Sequence, residues 1–262
     1  MKKTLLLLIL LCAGFAAVSA QNSYEHKEFV SAEGQSIKYR LLTPQDMSAK
    51  KKYPLVIFLH GAGERGDDNN SQLRHGSQMF LNPVVQEKYP AYVIFPQCPN
   101  SAFWAYPSFP KKFDASVVED DMTPAFRAVK ELIDQYRDMP SVDPTRVYIM
   151  GLSMGGMGTF DMVCRFPEIF AAALPICGAV TPGRLISAKD VKFRIYHGDA
   201  DPVVPVESSR MAYRELKAAG ADVEYFEYPG CDHGSWHRAF NEPDFLEWVF
   251  AQKNRRAARK NK

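Results

Sequence analysis

Short apolar runs that alternate with amphipathic helical segments are the feature that most constrains how this chain can fold. Six such runs are rich in β-branched or aromatic residues, and several are followed closely by Gly or Pro: residues 55–59, 92–95, 147–150, 171–175, 193–196 and 224–228. Runs of this length and composition are typical of strands that are buried on both faces of a parallel sheet.

Helical patterns separate these runs. The clearest has Thr123 as a capping residue and Pro124 at the first helical position, and its apolar residues share one face: Ala125, Val129, Leu132, Ile133 and Tyr136. Further helical patterns follow at residues 154–166, 207–219 and 245–251. The order of elements predicts an α/β fold with a doubly wound, mostly parallel sheet in one domain over residues 21–252. Polar and apolar residues alternate over residues 27–43, which predicts an antiparallel pair of strands at one edge.

The first twenty residues have the pattern of a secretory signal peptide. Two lysines precede an apolar run at residues 4–11, and small residues follow as far as Ala20. This run is shorter than the roughly 20 residues that a membrane-spanning helix needs. We therefore expect cleavage before Gln21 and export to the periplasm or the medium, with no stable membrane insertion. A lipid anchor on Cys12 is the weaker alternative, because a bulky leucine precedes that cysteine.

The charge balance argues against a nucleic-acid partner. The chain has 32 Lys and Arg against 30 Asp and Glu, and the signal peptide holds two of the lysines and none of the acids. Nucleic-acid-binding domains carry a strong basic excess, which the mature chain lacks. Residues 253–262 are the exception, because they hold several basic residues and no acid. We expect a solvated, disordered tail there, with contact to an acidic polymer or a membrane surface as the alternative.

Four cysteines remain after export, and their pairing is open. An oxidising compartment permits up to two disulfides among them in three connectivities, and buried free thiols are equally compatible with their apolar surroundings: Cys98, Cys164, Cys177 and Cys231. Nothing in the chain has the paired C-x-x-C spacing of a zinc site. We expect neither a metal nor a cofactor.

The chemistry centres on a G-x-S-x-G motif at residues 151–155, whose middle residue is Ser153. This motif alone is a weak signal, but here a predicted strand precedes it and a predicted helix follows it. That context is the strand, turn and helix of a nucleophile elbow, in which the serine has a strained backbone and its hydroxyl points outward. The N–H of Met154 then points to the place where an oxyanion would develop.

A serine hydroxyl needs a histidine base and a carboxylate that orients this base. When the chain order is serine, acid and histidine, only His233 and His237 follow both the serine and a suitable acid. His233 comes directly after the last predicted strand, where a catalytic loop belongs. We expect His237 to be an exposed residue of the following helix.

The acid is expected in the loop that follows the strand at residues 193–196. Asp201 is the preferred candidate, because the loop must reach beyond the strand and the following proline keeps it extended. Asp199 is expected to hydrogen-bond within the turn, and Asp232 is poorly placed to orient the histidine beside it. We expect His197 to be a structural residue of the turn rather than a second base.

The second oxyanion donor should come from the loop after an early strand, and residues 60–66 follow residues 55–59. We expect the N–H of Ala62 to be this donor, while Glu64 and Arg65 tie the loop down. The acidic stretch at residues 67–70 lacks the spaced ligands of a calcium loop and predicts a turn.

Candidate substrate-binding residues are aromatic, together with Gln97 at the end of a predicted strand. A loop after this residue is crowded with rings: Phe103, Trp104, Tyr106, Phe109 and Phe113. Most of these should anchor the loop, whereas Trp104 is expected to line the pocket beside Trp236. Only a short segment separates the strands that end near Ile176 and start near Phe193, which is too small for a helical lid. The site should therefore be open and suited to bulky or polymeric substrates.

Five motifs together carry a family resemblance: HGAGERGDD at residues 60–68, PQCP at 96–99, GLSMGG at 151–156, HGDADPVVP at 197–205 and DHGSW at 232–236. The chain resembles the bacterial carboxylesterase, feruloyl-esterase and prolyl-oligopeptidase-like group of α/β-hydrolases, which includes proteins similar to dienelactone hydrolase. The resemblance implies an α/β-hydrolase fold, a triad of Ser153, Asp201 and His233, and an oxyanion hole at Met154 and Ala62.

What the resemblance implies about function is a secreted serine esterase with an acyl-enzyme mechanism. The expected substrates are small acyl or hydroxycinnamoyl (feruloyl-type) esters of plant polysaccharide. A peptidase of prolyl-oligopeptidase type that acts on short peptides is one alternative. A non-catalytic carbohydrate-binding protein on a hydrolase fold is the other, although such proteins usually lose a triad member and candidates for all three are present here. The sequence does not indicate an oligomeric state.

Overall fold

A computed structural model of the chain describes residues 23–106 and 122–254. The expected signal peptide, the aromatic residues Phe109 and Phe113, and the basic tail beyond Asn254 lie outside the described residues.

The described residues form one eight-stranded sheet in the order β1-β2-β4-β3-β5-β6-β7-β8. Its strands are β1 (Glu25–Val30), β2 (Ser36–Leu42), β3 (Tyr53–Leu59), β4 (Tyr92–Pro96), β5 (Val142–Leu152), β6 (Ala172–Ile176), β7 (Lys192–Gly198) and β8 (Val223–Tyr228). The pairs β1–β2 and β2–β4 are antiparallel, and all the other pairs are parallel. This arrangement confirms the predicted doubly wound sheet with an antiparallel N-terminal edge.

Helices cover both faces of the sheet. They are α1 (Ser77–Leu81), α2 (Pro83–Lys88), α3 (Pro124–Arg137), α4 (Met154–Arg165), α5 (Glu207–Ala218), α6 (Trp236–Ala239) and α7 (Phe245–Ala251), with 3₁₀ segments at Ala62–Glu64, Ser71–Leu73 and Arg184–Ala188. Along β3, Leu55 and Ile57 pack into a core with α3, α4 and α5, whereas Val56 and Phe58 pack into a second core with α6 and α7. The sheet is thus buried on both faces, as its apolar runs predict.

Sequence periodicity predicts the long helices and misses two short ones. Thr123 Oγ1 accepts the N–H of Phe126 at 3.2 Å and so caps α3, which begins at Pro124 as expected. The helices α1 and α2 lie between β3 and β4 and have only five and six residues. Segments this short show too few turns to produce a periodic apolar pattern.

The connection between β6 and β7 leaves the carboxyl edge of the sheet open. Its regular structure consists of the 3₁₀ segment Arg184–Ala188. No large lid is present in the part of the chain that the structure describes, as expected. Among these same residues, no helix has the length and apolar character needed to cross a membrane. The cysteines that the structure describes, Cys98, Cys164, Cys177 and Cys231, are free thiols.

Candidate active site

Ser153 lies in the tight turn between β5 and α4. Its φ is 54° and its ψ is −118°, a strained conformation of the kind that costs about 1–3 kcal/mol and is common at functional sites. The Ser153 N–H donates to Ile176 O at 2.9 Å, which ties the turn to the neighbouring β6. A Cβ on Gly155 would lie 1.9 Å from Leu59 O, so the turn packs directly against the backbone of β3. Glycine is required there because any side chain would collide with that carbonyl.

A histidine and an aspartate from two other loops complete a row with this serine. His233, in the loop after β8, has its Nε2 2.8 Å from Ser153 Oγ. Its Nδ1 lies 2.7 Å from Asp201 Oδ2, which comes from the loop after β7. A carboxylate only accepts hydrogen bonds, so Nδ1–H donates to Asp201 and Nε2 is left to accept the serine hydroxyl. The structure thus brings together all three residues of the expected triad in the arrangement that general-base catalysis requires.

The Asp201 carboxylate is buried and fully hydrogen-bonded. Its Oδ1 accepts the N–H groups of Val203 at 2.8 Å and Val204 at 3.0 Å. Burial opposes ionisation of this carboxyl, but the hydrogen bonds from His197, His233 and these two N–H groups outweigh it and hold the pKa of Asp201 well below its usual range. Asp201 is therefore a carboxylate over the whole physiological pH range.

The other candidates for the catalytic acid and base do not take part in the triad. Asp199 Oδ1 accepts the N–H of Gly230 at 2.6 Å, so it bonds to the loop after β8 rather than within its own turn as expected. Asp232 Oδ1 accepts the N–H of Gly234 at 2.9 Å, within its own loop. His237 is exposed on α6, where its Nε2 accepts the indole N–H of Trp236 at 3.1 Å.

The two expected oxyanion donors begin helical segments. The N–H of Met154 is the first of α4, and the first N–H groups of a helix have no partner within it. Ala62 opens the 3₁₀ segment after β3. The peptide that carries its N–H is held by His60, whose Nδ1 lies 2.6 Å from Gly61 O.

His60 is locked in one tautomer, and this orients the Ala62 peptide. Its Nε2 accepts the N–H of Cys98 at 2.9 Å, so the hydrogen is on Nδ1 and donates to Gly61 O. Complete burial lowers the pKa of His60 to about 4, so the ring is neutral. Because the peptide is trans, a Gly61 carbonyl that is drawn toward His60 turns the N–H of Ala62 to the opposite side.

Arg65 and Glu64 anchor this loop, as expected. Arg65 Nε donates to Ala62 O at 3.0 Å, and its guanidinium lies 4.1 Å from the centre of the Phe103 ring. Glu64 is buried, and one of its oxygens lies 3.7 Å from His75 Nε2. Asp68 forms a turn rather than a calcium site, because its carboxylate accepts from the N–H groups of Asn70 and Ser71.

Gln97 is buried among loop residues, contrary to its expected position at the substrate. Only 2% of its surface is exposed, and its Oε1 accepts the N–H of Asn69 at 2.7 Å. Its Nε2 donates to Asp68 Oδ1 at 2.7 Å and to Glu64 O at 3.2 Å. With its amide occupied in this way, Gln97 supports the loop from below and has no polar atom left for a ligand.

Trp104 also does not line the pocket, contrary to expectation. It is completely buried, and its indole N–H donates to His60 O at 3.1 Å while the two rings lie 5.1 Å apart. A ring with no exposed surface cannot stack on a substrate. Trp104 instead packs behind the loop that carries Ala62.

A wall of three rings stands beside the catalytic base, and one of its members was not predicted. Trp236 lies edge-on to His233 with ring centres 5.7 Å apart. His75 lies 5.1 Å from Trp236 and 5.9 Å from His237. Burial, with the neighbouring His237 and Arg74, holds the pKa of His75 below its usual value. No motif marks His75 in the sequence, and only the placement of the segment before α1 brings it to this rim.

One group of side chains in the described part of the chain has the spacing of metal ligands: Cys177, Asp201 and His233, with ligand atoms within 4.8 Å of one another. Asp201 and His233 are hydrogen-bonded to each other, and burial raises the pKa of the Cys177 thiol far above its usual range. A metal needs the thiolate, which is not formed here at neutral pH. The donor set does not fit a resident metal.

The strained serine, its histidine and aspartate, and the mostly parallel sheet beneath them define a serine hydrolase of the α/β-hydrolase type. The sequence profile of the phospholipase/carboxylesterase family matches residues 46–247 of this chain. The chain therefore belongs to that family and is a serine carboxylic-ester hydrolase. This membership does not favour the peptidase or the non-catalytic alternative.

Individual relatives agree with this assignment. The chain is 28% identical over 200 residues to the carboxylesterase SOBER1 of Arabidopsis thaliana, which covers 68% of this chain and 82% of that protein. It is 41% identical over 131 residues to poly(3-hydroxyalkanoate) depolymerase C of Paucimonas lemoignei, which covers 48% of this chain and 28% of that protein. A crystal structure of a thermostable esterase is similar with a TM-score of 0.80 and 38% identity, over 88% of this chain and 63% of that one.

Proposed function

We propose that the protein hydrolyses carboxylic esters by two acyl transfers through Ser153. The observation that carries this proposal is the row from Ser153 Oγ to His233 Nε2 at 2.8 Å and from His233 Nδ1 to Asp201 Oδ2 at 2.7 Å. His233 takes the hydroxyl proton as Ser153 attacks the ester carbon, and then gives it to the leaving alcohol. A water molecule, activated by the same imidazole, then attacks the acyl-serine and releases the acid.

The N–H groups of Met154 and Ala62 stabilise the negative charge on the carbonyl oxygen in both steps. They are fixed in place, by α4 and by the hydrogen bond from His60 to Gly61 O. Donors that need no reorganisation at the moment of reaction contribute most to such catalysis, and the loss of one costs roughly 10²–10³ in kcat.

The substrates we propose are small acyl or hydroxycinnamoyl esters of plant polysaccharide. Two features support this choice. The edge of the sheet has no large lid among the described residues, so a bulky alcohol portion can approach the serine. Trp236 lies beside His233, with His75 packed against it, and aromatic rings at a site can stack on an aromatic acyl group or on a sugar ring.

We further propose that the protein is exported and acts in the periplasm or outside the cell. The proposal rests on the basic, apolar and small-residue segments of residues 1–20. Comparison of the N-terminal residue of the purified native protein with Gln21 tests it, and a retained Met1 would contradict it.

Activity of Ser153→Ala tests the mechanism. We expect kcat to fall by about 10⁴–10⁶ on an ester substrate, and a fluorophosphonate probe to label the wild type at Ser153 and leave the variant unlabelled. His233→Asn should be similarly impaired, whereas His237→Asn, at an exposed position of the following helix α6, is the control and should retain activity. Full activity of Ser153→Ala would refute the proposed function.

A panel of acetyl, butyryl and feruloyl esters tests the substrate class. Trp236→Ala should raise KM for feruloyl esters by about 5-fold and leave KM for acetyl esters within twofold, since a lost ring contact is worth about 1 kcal/mol. Trp248→Ala is the control, because this tryptophan packs against Arg194 rather than at the site. Equal effects of Trp236→Ala on both esters would remove the aromatic substrate class.

A further inference from the structure

A second imidazole contacts the carboxylate of the triad. His197 is completely buried near the end of β7, and its Nε2 lies 3.2 Å from Asp201 Oδ2 and 2.9 Å from Val204 O. Its Nδ1 lies 2.7 Å from Ser209 Oγ on α5. The oxygen that His197 approaches is the same Oδ2 that accepts the hydrogen bond from His233.

The neighbours of His197 decide which nitrogen carries its hydrogen. A carboxylate and a backbone carbonyl only accept hydrogen bonds, so Nε2 must be the donor. In the neutral ring Nδ1 then accepts the hydroxyl hydrogen of Ser209, which fixes this tautomer. The single Nε2–H of His197 thus bonds to Val204 O at 2.9 Å and has Asp201 Oδ2 as its second acceptor at 3.2 Å.

We propose that His197 is a positioning residue for ester hydrolysis, which holds Asp201 in place for His233 and limits how strongly this carboxylate stabilises protonated His233. The inference rests on the proposed function of the triad. His197 does not touch the reacting atoms, and it acts only through the oxygen that it shares with His233. A carboxylate oxygen that accepts hydrogen bonds from two donors interacts less strongly with each of them than it would with one donor alone.

Few other groups near Asp201 can change charge. Cys177, after β6, and Cys231, in the loop that carries His233, both face this carboxylate, and burial raises the pKa of each thiol, so both stay neutral at physiological pH. Glu227 on β8 lies near His197. Its carboxylate accepts hydrogen bonds from Arg210, and these bonds lower the pKa of Glu227 to about 2. Between pH 5 and 8 the charges of these neighbours are constant.

The test is the pH profile of kcat/KM for His197→Leu, with His197→Gln as the rescuing variant. Leucine removes the N–H donor of His197. The Asp201 carboxylate then interacts more strongly with His233, and the protonated imidazole of His233 becomes more stable. The acid limb of the profile should then move to higher pH by roughly half a unit to one unit. We expect kcat to fall about 10-fold with KM within twofold of the wild type. Glutamine restores an N–H donor near the same position and should return both values toward the wild type.

Tyr196→Phe is the matched control, since this buried neighbour on β7 packs into the opposite core. It should leave the acid limb in place. The midpoint of the limb does not depend on the folded fraction of the sample, so it remains informative when a variant is less stable. An unmoved acid limb in His197→Leu, or a His197→Gln profile that matches His197→Leu, would overturn the inference. Persistent esterase activity of Ser153→Ala would instead overturn the proposed function itself.

Discussion

Gly155→Ala tests how closely the catalytic turn depends on its contact with β3. The new Cβ would lie 1.9 Å from Leu59 O, 2.5 Å from Leu59 C and 2.8 Å from His60 O, whereas real Cβ contacts stay above 3.0 Å. All three atoms belong to the backbone, so α4 and β3 must separate by about 1 Å. Overpacking of this kind costs about 1–3 kcal/mol or more, which lowers the Tm of a chain of this size by roughly 2–12 °C.

The same displacement should impair catalysis more than stability. The end of β3 continues through His60 to Ala62, so a shift of Leu59 moves the oxyanion donor relative to Ser153. A misplacement of about 1 Å can cost 100-fold in rate. We expect kcat on an acetyl ester to fall by this factor, measured at a temperature at which the variant is fully folded by circular dichroism.

Gly63→Ala is the matched control for this experiment. It lies in the same loop as Ala62, but a Cβ there would meet no atom within 4 Å. Its Tm and kcat should both stay close to those of the wild type. Wild-type kcat and Tm in Gly155→Ala would refute the claim that the turn and β3 are in rigid contact.

Two further predictions concern the residues behind the oxyanion loop. The pKa of His60 is about 4 in the folded protein and 6.5 as the ordinary value, so the unfolded chain binds a proton that the folded chain does not, and stability falls as the pH drops from 6.5 toward 4. Urea unfolding at pH 7 and pH 5 should show that His60→Gln removes about 2 kcal/mol of this pH dependence. If the free energy of unfolding differed between the two pH values by as much in His60→Gln as in the wild type, His60 would be protonated in the folded protein. Trp104→Phe loses the hydrogen bond to His60 O and should lower stability by about 1 kcal/mol, without changing the KM ratio of feruloyl to acetyl esters; a selective rise for feruloyl esters would place Trp104 at the substrate.

The parts of the fold with strong periodicity could be predicted from sequence. Residues 55–59 and 147–150 form β3 and the core of β5, since an apolar run bounded by glycine leaves few alternatives to a buried strand. Ser153, Asp201 and His233 could be placed because the chain order and the strand ends together restrict which loops can meet. The physical reason is that the carboxyl ends of parallel strands share one edge of a sheet.

The direction in which long loops pack could not be predicted. Trp104 is an aromatic residue in a loop after a strand. Such a residue can face either a pocket or the core, and the sequence around it does not distinguish the two orientations. Gln97 has the same ambiguity, because a polar residue at a strand end can bind a ligand or satisfy neighbouring backbone groups. The position of His75 depends on the two short helices between β3 and β4. Among these four residues, only His197 has a signal in the sequence, because it precedes Asp201 by four residues at the end of the strand from which the catalytic loop starts.

The residues of the active site come from two parts of the sheet, namely its central strands and the strands near one edge. Ser153 and Ala62 follow β5 and β3, which lie in the middle of the sheet, whereas Asp201 and His233 follow β7 and the edge strand β8. An edge strand has a single partner, and such segments open locally before the whole domain unfolds. On gradual heating we therefore expect hydrolysis to stop while most of the tertiary structure persists. The enzyme would then regain its activity on cooling simply by re-pairing β8, without refolding its centre.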